Sequence, residues 1–311
     1  VADPAFTLVQ LRYFVAAAEH GSMTAAAKSL LVSQSAISTA IAGLEHDLGV
    51  QLFLRHHARG LTPTRAGTAF LREAREFLSH AADLENVARG AGGDLAGELY
   101  VGCFATLAPF FLPGLITAFE KAHPATTLQV AEGEHSGLKA ALRSGECELS
   151  LMYGYDLEDD IERVVVHRLR PYVIVSSEHR LARRKRVRLA ELVETDQLIL
   201  LDLPHTRDYF LGTVVDATGI RPQVRHSTPG FETVRSFVAH GHGFALLNQL
   251  PADDVTYDGG RVVPLRIQDQ VRDLEIVLAW MKSTRLSRRA RAFRHTVTGE
   301  FANMTSLHQK N

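Results

Sequence analysis

The residues best suited to recognising another molecule lie in one short stretch near the N-terminus. Gln34, Ser35, Ser38 and Thr39, with Ala42, fall on one side of a helical repeat, while Ile37, Ala40, Ile41, Leu44 and Leu48 mark the opposite side for burial. Short uncharged donors and acceptors of this kind suit base edges and phosphates in a DNA major groove, and a glutamine amide makes a bidentate contact with adenine. On an isolated helix the same residues are an ordinary solvated face, so the neighbouring elements decide. Downstream, Arg55, His56, His57, Arg59 and Arg65 form a positive stretch without an acidic residue, the chemistry that meets a phosphate backbone.

The elements needed to position that face are readable. Leu8, Leu11, Phe14, Val15 and Ala18 recur at helical spacing up to His20, and Gly21 ends the helix. Ser22 caps a second helix, Met23 to Leu30, whose Ala25, Ala26 and Ala27 admit a close neighbour. After the turn Leu31–Val32, Ser33 caps a third helix running to about Leu48, closed by Gly49. Two short helices joined by so tight a turn form a helix-turn-helix. Gln51–Leu54 and Gly60–Leu61 then read as a hairpin with a basic tip, which makes the unit a winged helix-turn-helix.

Thr62–Pro63 predicts the cap and first turn of a fourth helix reaching about Arg89. Along it Phe70, Ala74, Phe77, Ala81, Leu84 and Ala88 alternate in steps of four and three, with Leu71 and Leu78 widening the stripe. A seam this long on a helix leaving a small domain predicts pairing with a second chain rather than with its own domain. Gly90–Ala91–Gly92–Gly93 reads as a hinge.

Beyond Gly97 strands alternate with helices, predicting α/β architecture with largely parallel sheets. The strands are Leu99–Phe104, Thr127–Ala131, Glu148–Met152, Val164–Leu169, Tyr172–Ser176, Gln197–Leu201, Gln223–His226, Phe244–Leu247 and Glu275–Trp280. Helices are predicted at Leu107–Lys121, Ser136–Ser144, Thr206–Thr218, Phe231–His240 and Ser287–Phe301.

Composition narrows the class. The 311 residues carry 46% hydrophobic and 22% charged side chains and a net charge of −1, so any nucleic-acid binding rests on where charge is placed. Residues 1–60 hold as many acidic as basic residues. No apolar run is long enough to span a membrane and no leader is evident. Cys103 and Cys147 suggest no disulfide framework and fit a reducing cytoplasm. Catalytic and metal readings find little support. Ser136-x-x-Lys139 has the spacing of penicillin-recognising enzymes but lacks their Ser-Asp-Asn and Lys-Thr-Gly partners. His56 and His57 are adjacent, and His240 and His242 have no Cys or carboxylate at ligand spacing. The chain is therefore read as a non-enzyme without cofactor or metal.

Leu11–Tyr13–Phe14–Val15, Glu19–His20–Gly21–Ser22, Ala25–Ala26–Ala27, Leu30, Ser33–Gln34–Ser35–Ala36–Ile37–Ser38, Ile41, Leu44–Glu45, Leu48–Gly49, Leu52–Phe53, Arg55, Leu61–Thr62–Pro63–Thr64 and Ala66–Gly67 together resemble the signature of LysR-type transcriptional regulators over about sixty gapless residues. The resemblance implies that Gln34, Ser35, Ser38 and Arg55 contact DNA. Ser35 stands where many members have proline, and Thr39 where many have arginine or lysine. A looser likeness to the LysR effector domain, similar to periplasmic solute-binding proteins, runs through Glu98–Gly102, Leu112–Pro113, His123–Pro124, Leu142–Glu146 and Gly241–Leu247, with His242 and Asn248 departing from it. It implies a DNA-binding domain at 1–63, a linker at 64–95, one effector subdomain at 96–166 with 268–303, and a second at 167–267.

Ligands of open α/β sheets bind beyond the carboxyl ends of strands. Those ends carry Cys103, Ala105, Thr106, His135, Ser136, Asp202, His205, Thr206, Thr228 and Phe231, with Pro204 and Ser227 beside them. Helices starting at Ser136 and Thr206 would direct N–H groups into the cleft, predicting a carboxylate-bearing effector. The expected partners are double-stranded DNA at a pseudo-palindromic promoter site, this small molecule, further copies forming a dimer and then a tetramer, and RNA polymerase; no membrane is expected. A solute-binding protein or binding-fold enzyme with an unrelated helical N-terminal domain is the alternative.

Overall fold

The computed structural model describes residues 4–56, 60–88, 95–204 and 206–308. At the N-terminus lie α1 (Leu8–His20), α2 (Met23–Ser29) and α3 (Gln34–Leu48), then an antiparallel hairpin of β1 (Phe53–His56) and β2 (Gly60–Pro63), and the long helix α4 (Arg65–Ala88). The predicted punctuation holds: Ser22 and Ser33 accept backbone N–H groups at the starts of α2 and α3, and Gly21 and Gly49 take left-handed conformations at the ends of α1 and α3. Thr7 caps α1 in the same way, a cap missed by the sequence reading.

The start of α4 is corrected. Pro63 is the last residue of β2, paired with Phe53, and the capping hydroxyl belongs to Thr64, which accepts the Gly67 N–H at 2.9 Å. Thr64 can do this because its own N–H donates to Leu52 O, which holds it beside the hairpin. A Cβ on Gly67 would stand 2.0 Å from that same carbonyl oxygen, so only glycine lets α4 come this close.

The small core packs Leu11, Phe14, Ala26, Ile37, Ile41, Leu44 and Phe53. One carboxylate pins the hairpin to α3: Glu45 Oε1 accepts the N–H groups of Leu52 at 2.7 Å and Phe53 at 3.0 Å.

The remainder runs β3 (Gly97–Phe104), α5 (Ala108–Ala122), β4 (Thr126–Gly133), α6 (His135–Ser144), β5 (Leu149–Tyr153), β6 (Ile161–Leu169), β7 (Tyr172–Ser176), β8 (Arg186–Val187), α7 (Ala190–Val193), β9 (Leu198–Leu201), α8 (Thr206–Thr218), β10 (Val224–Thr228), α9 (Phe231–Ala239), β11 (Ala245–Leu247), β12 (Val262–Ile267), β13 (Leu274–Met281) and α10 (Arg288–His308). Two lobes result. One has a five-stranded sheet of order β4-β3-β5-β13-β6. The other has β11-β7-β12-β8, joined through a Leu198–Phe244 bridge to the parallel pair β9 and β10.

The expectation of largely parallel sheets is corrected. β13 runs antiparallel to both neighbours, and β7 runs antiparallel to β11 and β12. The cause is topological: the chain leaves the first lobe after β6 and re-enters it from the second, so its returning strand meets the sheet in the opposite sense. β8 and β12 escape a pattern search because β8 has two residues and β12 contains Pro264.

Polar contacts fasten α4 to the first lobe. Arg75 donates to Ser144 O at 2.8 Å and pairs with Glu19 of α1 at 3.1 Å. The Arg289 guanidinium, 3% exposed, donates to Asp83 Oδ1 at 2.7 Å, Ser79 Oγ at 2.9 Å and Ala96 O at 3.1 Å. Asp83 also accepts the Arg288 N–H, so a residue of α4 caps the first turn of α10. Beside these contacts a cavity of about 820 Å³ lies between α1, α4 and the lobe, lined in part by Arg75, Tyr100 and Gln129.

Candidate nucleic-acid interface and ligand cleft

α3 separates its faces as the periodicity requires. Ile37, Ile41 and Leu44 are fully buried, whereas Gln34, Ser35, Thr39 and Ala42 are exposed and Ser38 is half-buried. Ser33 Oγ caps the helix by accepting the Ala36 N–H at 3.1 Å and shares a hydrogen bond with Ser35 Oγ at 2.9 Å, which fixes the leading edge of the face. Arg55 on β1 and Arg65 at the start of α4 are exposed, one strand and one helix turn away. Arg59 lies outside the described residues.

The predicted seam on α4 divides. Ala74 is 2% exposed within its own chain's core, and Phe70 packs edge-on against Phe6 and Phe14 at 6.3 and 5.2 Å. Ala74 is therefore a core residue, because Phe6 and Phe14 claim this first part of the stripe. Phe77 is 50% exposed with one edge of its ring against Phe6 at 6.4 Å, Leu84 faces outward at 72% exposed, and Ala81 is half-buried between them. The Ala88 side chain lies outside the described residues.

Thr106, Phe110, His135, Tyr153 and Tyr155 belong to the first lobe, and Asp202, Thr206, Ser227, Thr228, Phe231 and Gln249 to the second, on either side of the cleft. A hydrogen-bonded chain crosses it: Thr106 Oγ1 lies 2.9 Å from the Tyr153 hydroxyl, which accepts from Gln249 Nε2, while Gln249 O accepts from the Tyr172 hydroxyl at 2.6 Å. Phe110 and Phe231 meet edge-on at 5.6 Å. His135, fully buried, lies between the Phe104 and Tyr155 rings at 5.2 and 4.5 Å. Asp202 is engaged by Ser227 Oγ and by Arg207 at 3.1 Å. Thr206 is buried and Thr228 half-buried. Tyr153 and Gln249 were missed by the sequence reading; an aromatic residue directly after the apolar run of β5 was the available signal.

Several cleft expectations are corrected. Ser136 is exposed and does not start α6, which begins at His135 with Glu134 in the capping position. Ala105 is exposed at the rim. Cys103 is fully buried in the core, and burial raises its thiol to about 12; Cys147 is likewise buried and raised to about 12. His205 lies outside the described residues. Glu134 precedes α6 without a side-chain capping hydrogen bond, and Asp208 sits in the first turn of α8. Among the described residues no group of three or more His, Cys, Asp or Glu could hold a metal ion, and no helix is long and apolar enough to cross a membrane.

Comparison with known proteins settles what this pairing of parts is. Residues 8–68 match the bacterial regulatory helix-turn-helix protein of the lysR family, and residues 92–302 match the LysR substrate binding domain. The chain belongs to the LysR family of transcriptional regulators. It is a DNA-binding regulator with an effector-binding α/β domain. It is 36% identical to HinK, a LysR family transcriptional regulator from Pseudomonas aeruginosa, over 95% of this chain and 98% of that one, with a TM-score of 0.64. The structure of full-length CbnR complexed with its target DNA is 27% identical over 95% of this chain and all of that one, with a TM-score of 0.56. The regulator TfdS of Cupriavidus pinatubonensis is 31% identical over 280 residues, 89% of this chain and 93% of the relative. The family's members are transcriptional regulators rather than enzymes or solute-binding proteins.

Proposed function

We propose that the exposed face of α3 enters the major groove of a pseudo-palindromic promoter site, with Gln34, Ser35, Ser38 and Thr39 at base edges and phosphates. Arg55, Arg59 and Arg65 then contact the backbone, and the β1–β2 hairpin acts as the wing. The observation that carries this reading is the division of α3 between a fully buried apolar side and an exposed amide-and-hydroxyl side. Phe77, Ala81 and Leu84 bring two chains together through α4, and two such dimers form a tetramer. The protein works in the cytoplasm, where it meets DNA and RNA polymerase. The division into 1–63, 64–95, 96–166 with 268–303, and 167–267 follows from these roles.

The effector occupies the cleft between the lobes. The aromatic and hydroxyl lining, with acidic neighbours at both helix starts, suits an uncharged ring-bearing molecule that replaces the Tyr153–Gln249 hydrogen bond. Occupation shifts the balance between lobe arrangements, and the Arg289–Asp83 and Arg75–Ser144 contacts carry that shift to α4 and to the spacing of the two α3 helices.

Fluorescence anisotropy with genomic promoter fragments tests the central reading. The wild type should bind, with affinity falling steeply as salt rises. A protein that ignores every duplex at low ionic strength overturns it. For the effector, thermal shift with aromatic acids and their matching amides should favour the amides; stabilisation by the acids alone overturns the uncharged reading.

A further inference from the structure

The strongest concentration of positive charge in the chain lies in the second lobe, away from both sites described above. Between Glu178 and Glu191 stand Arg180, Arg183, Arg184, Lys185, Arg186 and Arg188 with no acidic residue among them. Residues 167–267 hold 14 Lys and Arg against 11 Asp and Glu, although the whole chain carries a net charge of −1.

The fold lays this run along an edge. β8 is the outermost strand of its sheet, and from it onward exposed Arg186 and Arg188 alternate with buried Val187 and Leu189. Its neighbour β12 brings exposed Arg266 directly opposite Arg186. Arg180 and Arg184 are paired with Asp196 and Glu191. Among the described residues, Arg183, Lys185, Arg186, Arg188 and Arg266 make no ion pair and donate no side-chain hydrogen bond. Like charges facing each other across a ladder repel, so the Arg186–Arg266 pair costs stability unless an anion lies against it. Charge on an edge strand also blocks unwanted strand pairing, but one or two cations suffice for that.

We infer that this edge is a second DNA-contact surface, reading no sequence and holding the phosphate backbone of duplex flanking the site bound by α3. Four of the five unpaired cations are arginines, whose planar fork matches phosphate oxygens two at a time. The partner must be a polyanion, since five cations on and beside one sheet edge exceed what a single small anion neutralises. DNA is the polyanion that α3 already holds beside the chain, so its effective concentration at the lobe is high.

The test compares the full-length wild type with the combined variant Arg183→Gln, Lys185→Gln, Arg186→Gln, Arg188→Gln on two duplexes, one of roughly 20 and one of roughly 60 base pairs, in salt titrations. The substituted side chains are exposed and unpaired, so circular dichroism should be unchanged and Tm should not fall, rising if anything as the Arg186–Arg266 repulsion is relieved. On the long duplex the slope of log affinity against log salt should be shallower in the variant by about 2 to 4, near 0.9 for each phosphate no longer neutralised. On the short duplex, which reports α3 alone, the two proteins should agree. Equal slopes on the long duplex overturn the inference. So does a change of oligomeric state in the variant, which assigns the edge to a second copy. RNA polymerase retained by the wild type and released by the variant at equal DNA slopes also overturns it, in favour of an acidic protein surface. Failure of the short duplex to bind either protein indicts α3 instead, a result distinct from failure of the edge.

Discussion

Single side chains already divide the labour on α3. Gln34 is exposed while Ile37, three positions on, has no contact with water, so on the proposed reading a change at Gln34 touches recognition without touching the core. Gln34→Ala should weaken binding to a cognate fragment by about 1–3 kcal/mol and relax preference at one base, with Tm unchanged, measured by anisotropy across a set of single-base variants. The two thiols make a second residue-scale prediction. Burial holds Cys103 and Cys147 at about 12 in the folded protein, against about 8.5 for a free thiol. Both should stay protonated at pH 8 and resist iodoacetamide until the chain is denatured, as mass spectrometry would show. Because the folded state keeps those protons longer, stability should fall as pH rises from about 8.5 towards 12. Rapid native labelling of either cysteine contradicts this.

Between elements, the contacts that join α4 to the first lobe are the ones worth breaking. Asp83→Ala leaves the Arg289 guanidinium buried without its carboxylate and strips a cap from α10, which should cost about 3–5 kcal/mol in urea unfolding. If the effector signal travels through this contact, the variant should still bind DNA but respond less to ligand. On the outward side of α4, Leu84→Glu should shift dimer towards monomer in sedimentation while the fold persists, since that side chain is 72% exposed.

Sequence legibility follows the range of the interactions involved. Ser22, Ser33, Gly21 and Gly49 were readable because a cap is decided within four residues. The seam on α4 was half readable, since spacing identified an apolar stripe but could not reveal that Phe6 and Phe14 would cover Ala74 and Phe70. The cleft was least readable. Tyr153 and Gln249 meet across 96 positions, and α6 starts at His135 rather than Ser136.

For the molecule as a whole, the two lobes are not consecutive segments of chain. The first lobe is left after β6 and completed only when β13 slides between β5 and β6. One of its two fastenings to α4 waits longer still, for Arg288 and Arg289 at the start of α10. During synthesis the N-terminal domain and α4 therefore emerge and fold well before the sensing half has its central strand. A polypeptide halted ahead of Leu274 would keep its helix-turn-helix and α4 while lacking a finished receptor, and on the proposed reading would be an effector-deaf competitor for the same DNA.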